Sequence, residues 1–394
     1  MLVGYMDVYK NPTLVATATA IMGAHYNIEI VYFNPKNIDM DKGLINGRQY
    51  RNNKWRPVTT KIPALIDAGS KTFNKSFNEN TKEIISYLKQ NTVLTLDKKG
   101  TPNKERLQHL LFQDSNFAHL VIPSKNLISM NILEEFLIKY DSIILKPIYG
   151  RQGKGIYSLR KQGEKYILSY GTEESNLNYT ELKKFYEKYL VEKKYLVQKM
   201  INSKTNEGYP FDCRIVVQKN RTGKWTIGKM FFRIGTGQKV VSNTFQGGST
   251  SDPKPFLKAN FGSKWNDVYK KLEEVALTLP YKFEEIKGTP TMDLGLDMGI
   301  DENGDLYLFE INHGAAMKRL ASISARLRLE YYQYLIETHP DLKKIKKNIR
   351  KKNAEKKNLK KERDFYKNEY DKLVKSKSWR LTMPLRKFSS FLKK

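Results

Sequence analysis

The sequence predicts an α+β protein of two or three lobes sharing a cleft, followed by a basic helical tail. Three observations carry this expectation. Strand and helix signals alternate over the first hundred or so residues, strands and hairpin turns dominate from residue 143 to about 250, and the composition turns Lys-rich near residue 342. A chain of 394 residues is also too long for one small core.

Taken in order, "LVGYMDVY" and "IEIVYFN" read as strands and residues 12–24 as the helix between them, a βαβ unit. That pattern argues against reading "NPTLVATATAIMGAH" as a secretory signal. A turn-rich piece, "NGRQYRNNKW", a helix over 82–90 and a strand at "TVLTL" complete a small α/β domain over residues 1–97. "TPNKERLQHLLFQ" then opens a helix, with Thr101 as its expected N-cap and Pro102 in its first position. A second helix over 131–140 leads into the strand "SIILKPI". Strands follow at "YLVQKMI", "FDCRIVVQ" and "GKMFFRIG", then a helix at "KWNDVYKKLEEVALTL" and a hairpin at "LGLDMGIDENGDLYLFEINHG". Helices resume after Lys318. The central domain is expected over residues 98–340 and the tail over 341–394.

Composition limits the function classes. Cys213 is the sole cysteine, so neither an intramolecular disulfide nor a thiolate metal site is available, and the five histidines show no ligand spacing. No apolar run reaches the roughly 18 to 20 residues that span a bilayer. Cytoplasmic placement is the resulting expectation. The net charge of +29 is concentrated: residues 342–394 carry 21 Lys and Arg against 5 Asp and Glu, leaving +13 for the preceding 341 residues.

Against that basic background, the carboxylates of the late hairpin stand out. With Leu306, Leu308 and Ile311 facing inward, Glu310 and Asn312 fall on one side of their strand and meet Asp297 across the pair. Three hard oxygen ligands without His or Cys suit Mg2+; the alternative is a surface hairpin with solvated acids. Lys146, set among Ile143, Ile144, Leu145 and Ile148, requires an anionic partner, because a desolvated ammonium costs several kcal/mol. Its plain alternatives are a local carboxylate or a sheet edge. Gly150, Gly153 and Gly155 form a loop whose N–H groups can wrap phosphates, although the spacing is not that of a P-loop. Asp212 and Arg214 share one face of their strand, and Lys229, Arg233, Asn243, Gly247 and Gly248 follow.

In this order the motifs resemble the ATP-grasp superfamily, most closely the YheC/YheD family, with similarity to RimK-type amino-acid ligases. The resemblance rests on "NGRQYRNNKW", Lys104 at a helix start, "LKPIYGRQGKG", "YLVQKMI", "DCRIVV", an Arg-bearing strand, "SNTFQGG" and "GLDMGID...LYLFEIN". It implies ATP held between two α+β lobes. Lys104 and Lys146 would contact phosphates beneath a loop containing Gly150, Gly153, Lys154 and Gly155. Gln198, Lys199 and Met200 would bind adenine through their backbone. Asp297, Glu310 and Asn312 would hold one or two Mg2+ ions, with Mn2+ as a substitute, and Arg214, Arg233 and Asn312 would serve catalysis. Lys199 stands where RimK-like ligases often carry an acidic residue, which leaves Glu207 as a substitute ribose contact.

The implied activity is ATP-dependent joining of a carboxylate to an amine through an acyl phosphate. A cell-surface or spore-associated binding protein without turnover and a kinase acting on a hydroxyl are the competing readings. The tail reads as a basic helix over 343–375 whose apolar positions, Ile345, Ile349, Leu359, Tyr366, Tyr370 and Leu373, fall short of a strict heptad seam. Its end, "SKSWRLTMPLRKFSSFLKK", resembles a C-terminal motif of bacterial surface-polysaccharide glycosyltransferases. The tail is therefore expected to meet an anionic membrane surface or polysaccharide-synthesis machinery at the inner face of the membrane, ahead of nucleic acid. The substrate expected there is a glycopolymer precursor.

Overall fold

The computed structural model describes residues 1–69, 72, 81–96, 100–148, 155–191, 193–235, 248–314 and 320–376. The chain divides into two compact units, Leu2–Tyr334 and a second made of Leu335–Lys394 with Met1. Three sheets build the first.

The N-terminal sheet comprises β1 (Leu2–Met6), β2 (Glu29–Phe33), β3 (Ile38–Asp39), β4 (Leu44–Arg51), β5 (Lys54–Lys61), β6 (Leu65–Ala68) and β7 (Val93–Leu94). Its order is β3-β4-β2-β1-β6-β7, with β5 paired to β4. Strand β1 is parallel to both β2 and β6, so the apolar stretch after β1 is the crossover helix α1 (Leu14–Gly23). Thr13 caps it, its hydroxyl accepting from the Ala16 N–H at 3.2 Å. Helix α2 (Thr81–Asn91) precedes β7. The piece expected to be turn-rich is instead the β4–β5 hairpin. Asn52 and Asn53 carry its reversal at φ 49° and 59°, left-handed values that Asn tolerates and that suit the strand twist.

Helix α3 (Lys104–Phe112) is capped by Asn103, whose side chain accepts from the Arg106 N–H at 2.8 Å, rather than by Thr101. This corrects the expected start by two residues and leaves Lys104 in the first turn. The second sheet holds β8 (Ser124–Leu127), β9 (Ser142–Pro147), β10 (Tyr157–Gln162), β11 (Lys165–Tyr170), β12 (Glu173–Leu177) and β13 (Tyr195–Lys199). Its order is β12-β11-β10-β9-β13-β8. Helices α4 (Met130–Tyr140) and α5 (Tyr179–Phe185) close one face over a core of Leu133, Phe136, Leu145, Leu182 and Val197.

The third sheet runs β16-β15-β14-β17-β18, from β14 (Phe211–Lys219), β15 (Trp225–Ile234), β16 (Ser249–Ser251), β17 (Asp293–Ile300) and β18 (Leu306–His313). Helices α6 (Pro253–Phe261) and α7 (Trp265–Lys287) pack on one face, and Leu107 and Leu111 of α3 join that core. The sequence placed the end of α7 at Leu279, but the helix continues through Pro280, which lies on its buried face with Ala276, Leu279 and Phe283. It stops where left-handed Gly288 donates its N–H to the Glu284 carbonyl at 2.8 Å.

The β17–β18 hairpin contains a β-bulge. Asp297 opposes Glu310 while Met298 opposes Leu308, which leaves Phe309 as an extra residue on β18. The extra residue shifts the alternation: Leu306 and Leu308 face the core on one side of it and Ile311 on the other, while Glu310 and Asn312 turn to the face opposite. Strict period-two counting would have sent Glu310 inward with Leu308.

Helix α8 (Ala321–Thr338) brings Arg328 into a sealed cluster. The Arg328 guanidinium donates to Asp67 of β6 and, at 2.6 Å, to Asp293 of β17. The Tyr332 hydroxyl also donates to Asp67. In the second unit, α9 (Pro340–Lys375) is a helix of 36 residues.

Candidate active site

The outer face of the third sheet carries a row of charges because β14, β15 and β17 each alternate apolar residues inward with polar residues outward. Arg214 is registered against Asp297, Asp297 against Glu310, and Asp212 against Arg233. The side chains follow the register. Arg214 Nε lies 3.0 Å and an Arg233 terminal nitrogen 3.1 Å from Asp297 Oδ1. Arg233 grips Asp212 with two nitrogens, one of them, Nε, at 2.7 Å. Asn312 Nδ2 donates to Asp297 Oδ2 at 3.3 Å. At the row's far end Lys104 reaches Glu310 at 3.0 Å.

Burial lifts the Asp297 carboxyl to about 6 even though Arg233 and Arg214 oppose the rise, while Asp212 and Glu310 add to it. A cation arriving at this face therefore meets a carboxylate whose charge is costly to keep.

The second sheet contributes Lys146. Strand β9 lies between β10 and β13, so Lys146 is not at an edge, and its ammonium donates to Gln198 Oε1 at 2.9 Å rather than to a carboxylate. Neither plain alternative holds. Burial, then repulsion from Lys104, lowers it to about 8, and Glu310 only partly offsets them. Lys146, Lys104 and Glu310 thus share one field, which joins the two sheets' polar faces at a single site. Register places Asn126, Leu196 and Lys146 on the same face. A cavity of about 530 Å³ between α3 and this face is bordered by Gln108, Asn126 and Leu196.

Other expected contacts fall differently. The Lys199 N–H donates to the Pro123 carbonyl at 2.9 Å and the Met200 N–H to Ser142 at 3.0 Å, so both donors on the expected adenine edge are engaged within the protein. The Lys199 ammonium lies 6.0 Å from the Tyr140 ring centre. Glu207 is exposed in the turn before Tyr209. Gly155 is left-handed at φ 75°, and a Cβ there would sit 3.1 Å from the Tyr195 hydroxyl. Gly150, Gly153, Lys154, Asn243 and Gly247 lie outside the described residues.

Two observations bear on what the site can hold. Among the described residues, Arg214 Nη1 and Gln198 Nε2 are buried donors without a hydrogen-bond partner, which suits acceptors supplied by a ligand. No three His, Cys, Asp or Glu side chains among the described residues cluster as a metal would require, so a three-oxygen set exists only by counting Asn312 with Asp297 and Glu310. Those hard oxygens fit Mg2+. Sequence reasoning noted Asp212 without giving it a role. Its signal was the shared face with Arg214, and its function is to hold Arg233 against Asp297.

A charged five-stranded sheet facing a second sheet that presents a buried lysine, with a lysine-led helix between, defines an ATP-grasp fold of the α+β class. A family model described as YheC/D like ATP-grasp matches residues 93–338. The chain belongs to that family. It is similar to two Bacillus subtilis (strain 168) proteins. Endospore coat-associated protein YheC is 26% identical over 323 residues, covering 78% of this chain and 86% of the relative. Endospore coat-associated protein YheD is 24% identical over 334 residues, covering 77% and 70%. A structure of the ATP-grasp ligase PsnB complexed with minimal precursor superposes with TM-score 0.50 at 12% identity, over 84% of this chain and 98% of that one. The shared feature there is the fold.

Proposed function

We propose that the protein is an ATP-dependent carboxylate–amine ligase. The observation that carries this reading is the continuous charged row Lys104–Glu310–Asp297–Arg214/Arg233, with Lys146 in the same field. Lys104 and Lys146 bind the triphosphate of ATP. The nucleotide's anionic charge restores to Lys146 the compensation that burial withholds. Asp297, Glu310 and Asn312 would hold Mg2+, which neutralises charge developing on the phosphates.

In the first step a substrate carboxylate oxygen bonds to the γ-phosphorus as the bond to ADP breaks. The product is an acyl phosphate. An amine then attacks the carbonyl carbon, loses a proton, and inorganic phosphate leaves. Arg214 and Arg233, fixed by Asp297 and Asp212, supply the positive charge that steadies both the transferred phosphoryl group and the tetrahedral oxyanion. No Ser, Cys or His nucleophile enters this scheme.

The test is ADP release across a panel of amino acids and sugar acids, with mass spectrometry of products. Release that requires both an acid and an amine, with a product joined by loss of water, supports the ligase. Release with a hydroxyl compound alone would replace it with a kinase, and none with any pair would leave a nucleotide-binding role.

The basic tail supports a location for this chemistry at an anionic membrane surface, on a carboxylate of a surface-glycopolymer precursor. No helix among the described residues is long and apolar enough to cross a membrane. Deleting residues 342–394 should release the protein from vesicles containing anionic lipid. Undiminished co-sedimentation of the truncated chain would reject this part.

A further inference from the structure

Helix α9 exposes large apolar side chains along its length: Ile349 is 38% exposed, Leu359 64%, Tyr366 69% and Tyr370 61%. Counting heptads with Ile349 at position a places Leu342 and Tyr370 at a as well. Ile345, Leu359, Tyr366 and Leu373 then fall at d. Every apolar residue first noted for this helix therefore sits on one seam, while Phe365, 60% exposed, falls outside it at c. What breaks its strictness is charge at three seam positions, Lys352, Lys356 and Arg363.

The flanking positions carry a second, independent pattern. Asp341, Glu355, Glu362 and Glu369 all occupy g, while Lys346, Lys360 and Lys367 occupy e. Four of the six acidic residues of a strongly basic helix thus stand at one heptad position, seven residues apart or a multiple of seven. In a parallel, in-register pair of helices, g of one chain faces e of the next heptad of the other. Asp341 then meets Lys346, Glu355 meets Lys360, and Glu362 meets Lys367. The remaining pairs, Asn348 with Asn353 and Glu369 with Val374, contain no like charges. An antiparallel pair would instead set g against g and e against e, bringing acid to acid and Lys to Lys.

We propose that α9 is a parallel two-stranded coiled coil formed with a second copy of this chain. The seam from Ile345 to Leu373 covers four heptads and roughly 42 Å of helix. Its flanking charges select both the partner and the direction. Lys356 and Arg363 at a weaken the coil and hold it to two strands in one register, because a buried charge is tolerated only where its stem can reach solvent. The outward b, c and f positions, among them Lys343, Lys344, Lys347, Lys351, Lys357 and Lys361, stay clear of the seam. Pairing therefore leaves the basic surface of the tail open and doubles it.

Light scattering and sedimentation of the full chain test the proposal. Wild type should show the two-chain mass, falling toward the single-chain 45.9 kDa on dilution. The double variant Leu359→Asp/Tyr366→Asp should remain at 45.9 kDa at every concentration while keeping the melting temperature of the body. Two charge-reversed chains guard against misfolding. E355K/E362K/E369K and K346E/K360E/K367E should each be monomeric alone and form a mixed dimer when combined. Tyr370→Cys should give a disulfide-linked dimer on oxidation, since the native Cys213 is fully buried and does not compete. A wild-type chain monomeric at all concentrations, a dimer that survives Leu359→Asp/Tyr366→Asp, or reversed chains that fail to pair would each overturn the proposal.

Discussion

Asp293 and Asp297 stand four residues apart on β17, both on the face turned away from the α7 core, yet their surroundings differ. Asp293 is closed in with Arg328, Asp67 and Tyr332, where Arg328 and Asp67 side chains are 7% and 2% exposed. Asp297 opens a row that ends in Lys104 and Glu310, 48% and 37% exposed. Arg328 gives one nitrogen to each of two carboxylates and Arg214 gives its Nε to Asp297, and each guanidinium keeps one buried nitrogen without a hydrogen-bond partner, Nε in Arg328 and Nη1 in Arg214. The first cluster is closed to solvent and joins the N-terminal sheet to the third. The second opens to solvent at Lys104 and Glu310.

That contrast can be broken most forcefully at Arg328. Arg328→Met leaves two buried carboxylates facing each other, and should cost about 3–5 kcal/mol of unfolding free energy in a denaturant titration. A loss near zero would remove the distinction. Glu310→Ala should do the reverse. ADP formation is expected to vanish while stability changes by less than about 1 kcal/mol, as for an exposed pair, and full activity at saturating Mg2+ would reject the metal role.

Lys146→Met sharpens the comparison, because it removes a partly hidden charge on the open side. Calorimetry should show nucleotide affinity reduced by about tenfold or more, the worth of a charged hydrogen bond. Unchanged affinity would count against phosphate contact. The smallest effect is on pH. Lys146 titrates at about 8 in the free protein, and a bound triphosphate raises that value, so binding takes up a proton above pH 8 and affinity should fall as pH rises through it. For the nucleotide-free fold the sign is opposite. The unfolded lysine holds its proton longer than the folded one, so Lys146 destabilises the fold less as pH climbs from about 8 toward the ordinary lysine value.

The open row was legible in the sequence because it depends on alternation within strands. Asp212 with Arg214 and Glu310 with Asn312 declare a shared face by spacing two, and the register then brings them together. The sealed cluster was not legible. Asp67 and Arg328 are separated by 261 positions, and each sits among apolar neighbours that read as an ordinary strand and an ordinary helix. Nor could composition show that Asn52–Asn53 makes a tight reversal instead of a loose turn, or that Asn103 outcompetes Thr101 as a cap. Those outcomes are settled by backbone angles and by where the core pulls the chain. Nor did the sequence show that a neutral Gln198 accepts from the Lys146 ammonium, where an anionic partner was expected and a carboxylate was only the plain alternative.

The extra residue at Phe309 carries a consequence for which changes this site can absorb. Its ring rests against Gly299, where a Cβ would come within 2.3 Å, so the bulge is fixed in place by a glycine on the opposing strand. The reversal at 301–305 lies beyond it and is exposed at several positions, so residues can be added or removed there without disturbing Glu310. Between Leu306 and Glu310 the count of residues works like a reading frame. Leu306 and Glu310 are four apart and yet face opposite ways, so straightening the bulge at an unchanged count would turn Glu310 and Asn312 into the apolar interior and bring Ile311 out, whereas deleting Phe309 would restore plain alternation with Glu310 still outward. Substitutions in this segment are graded in their effects, whereas a change in the count of residues is absorbed only where the bulge is gained or lost with it.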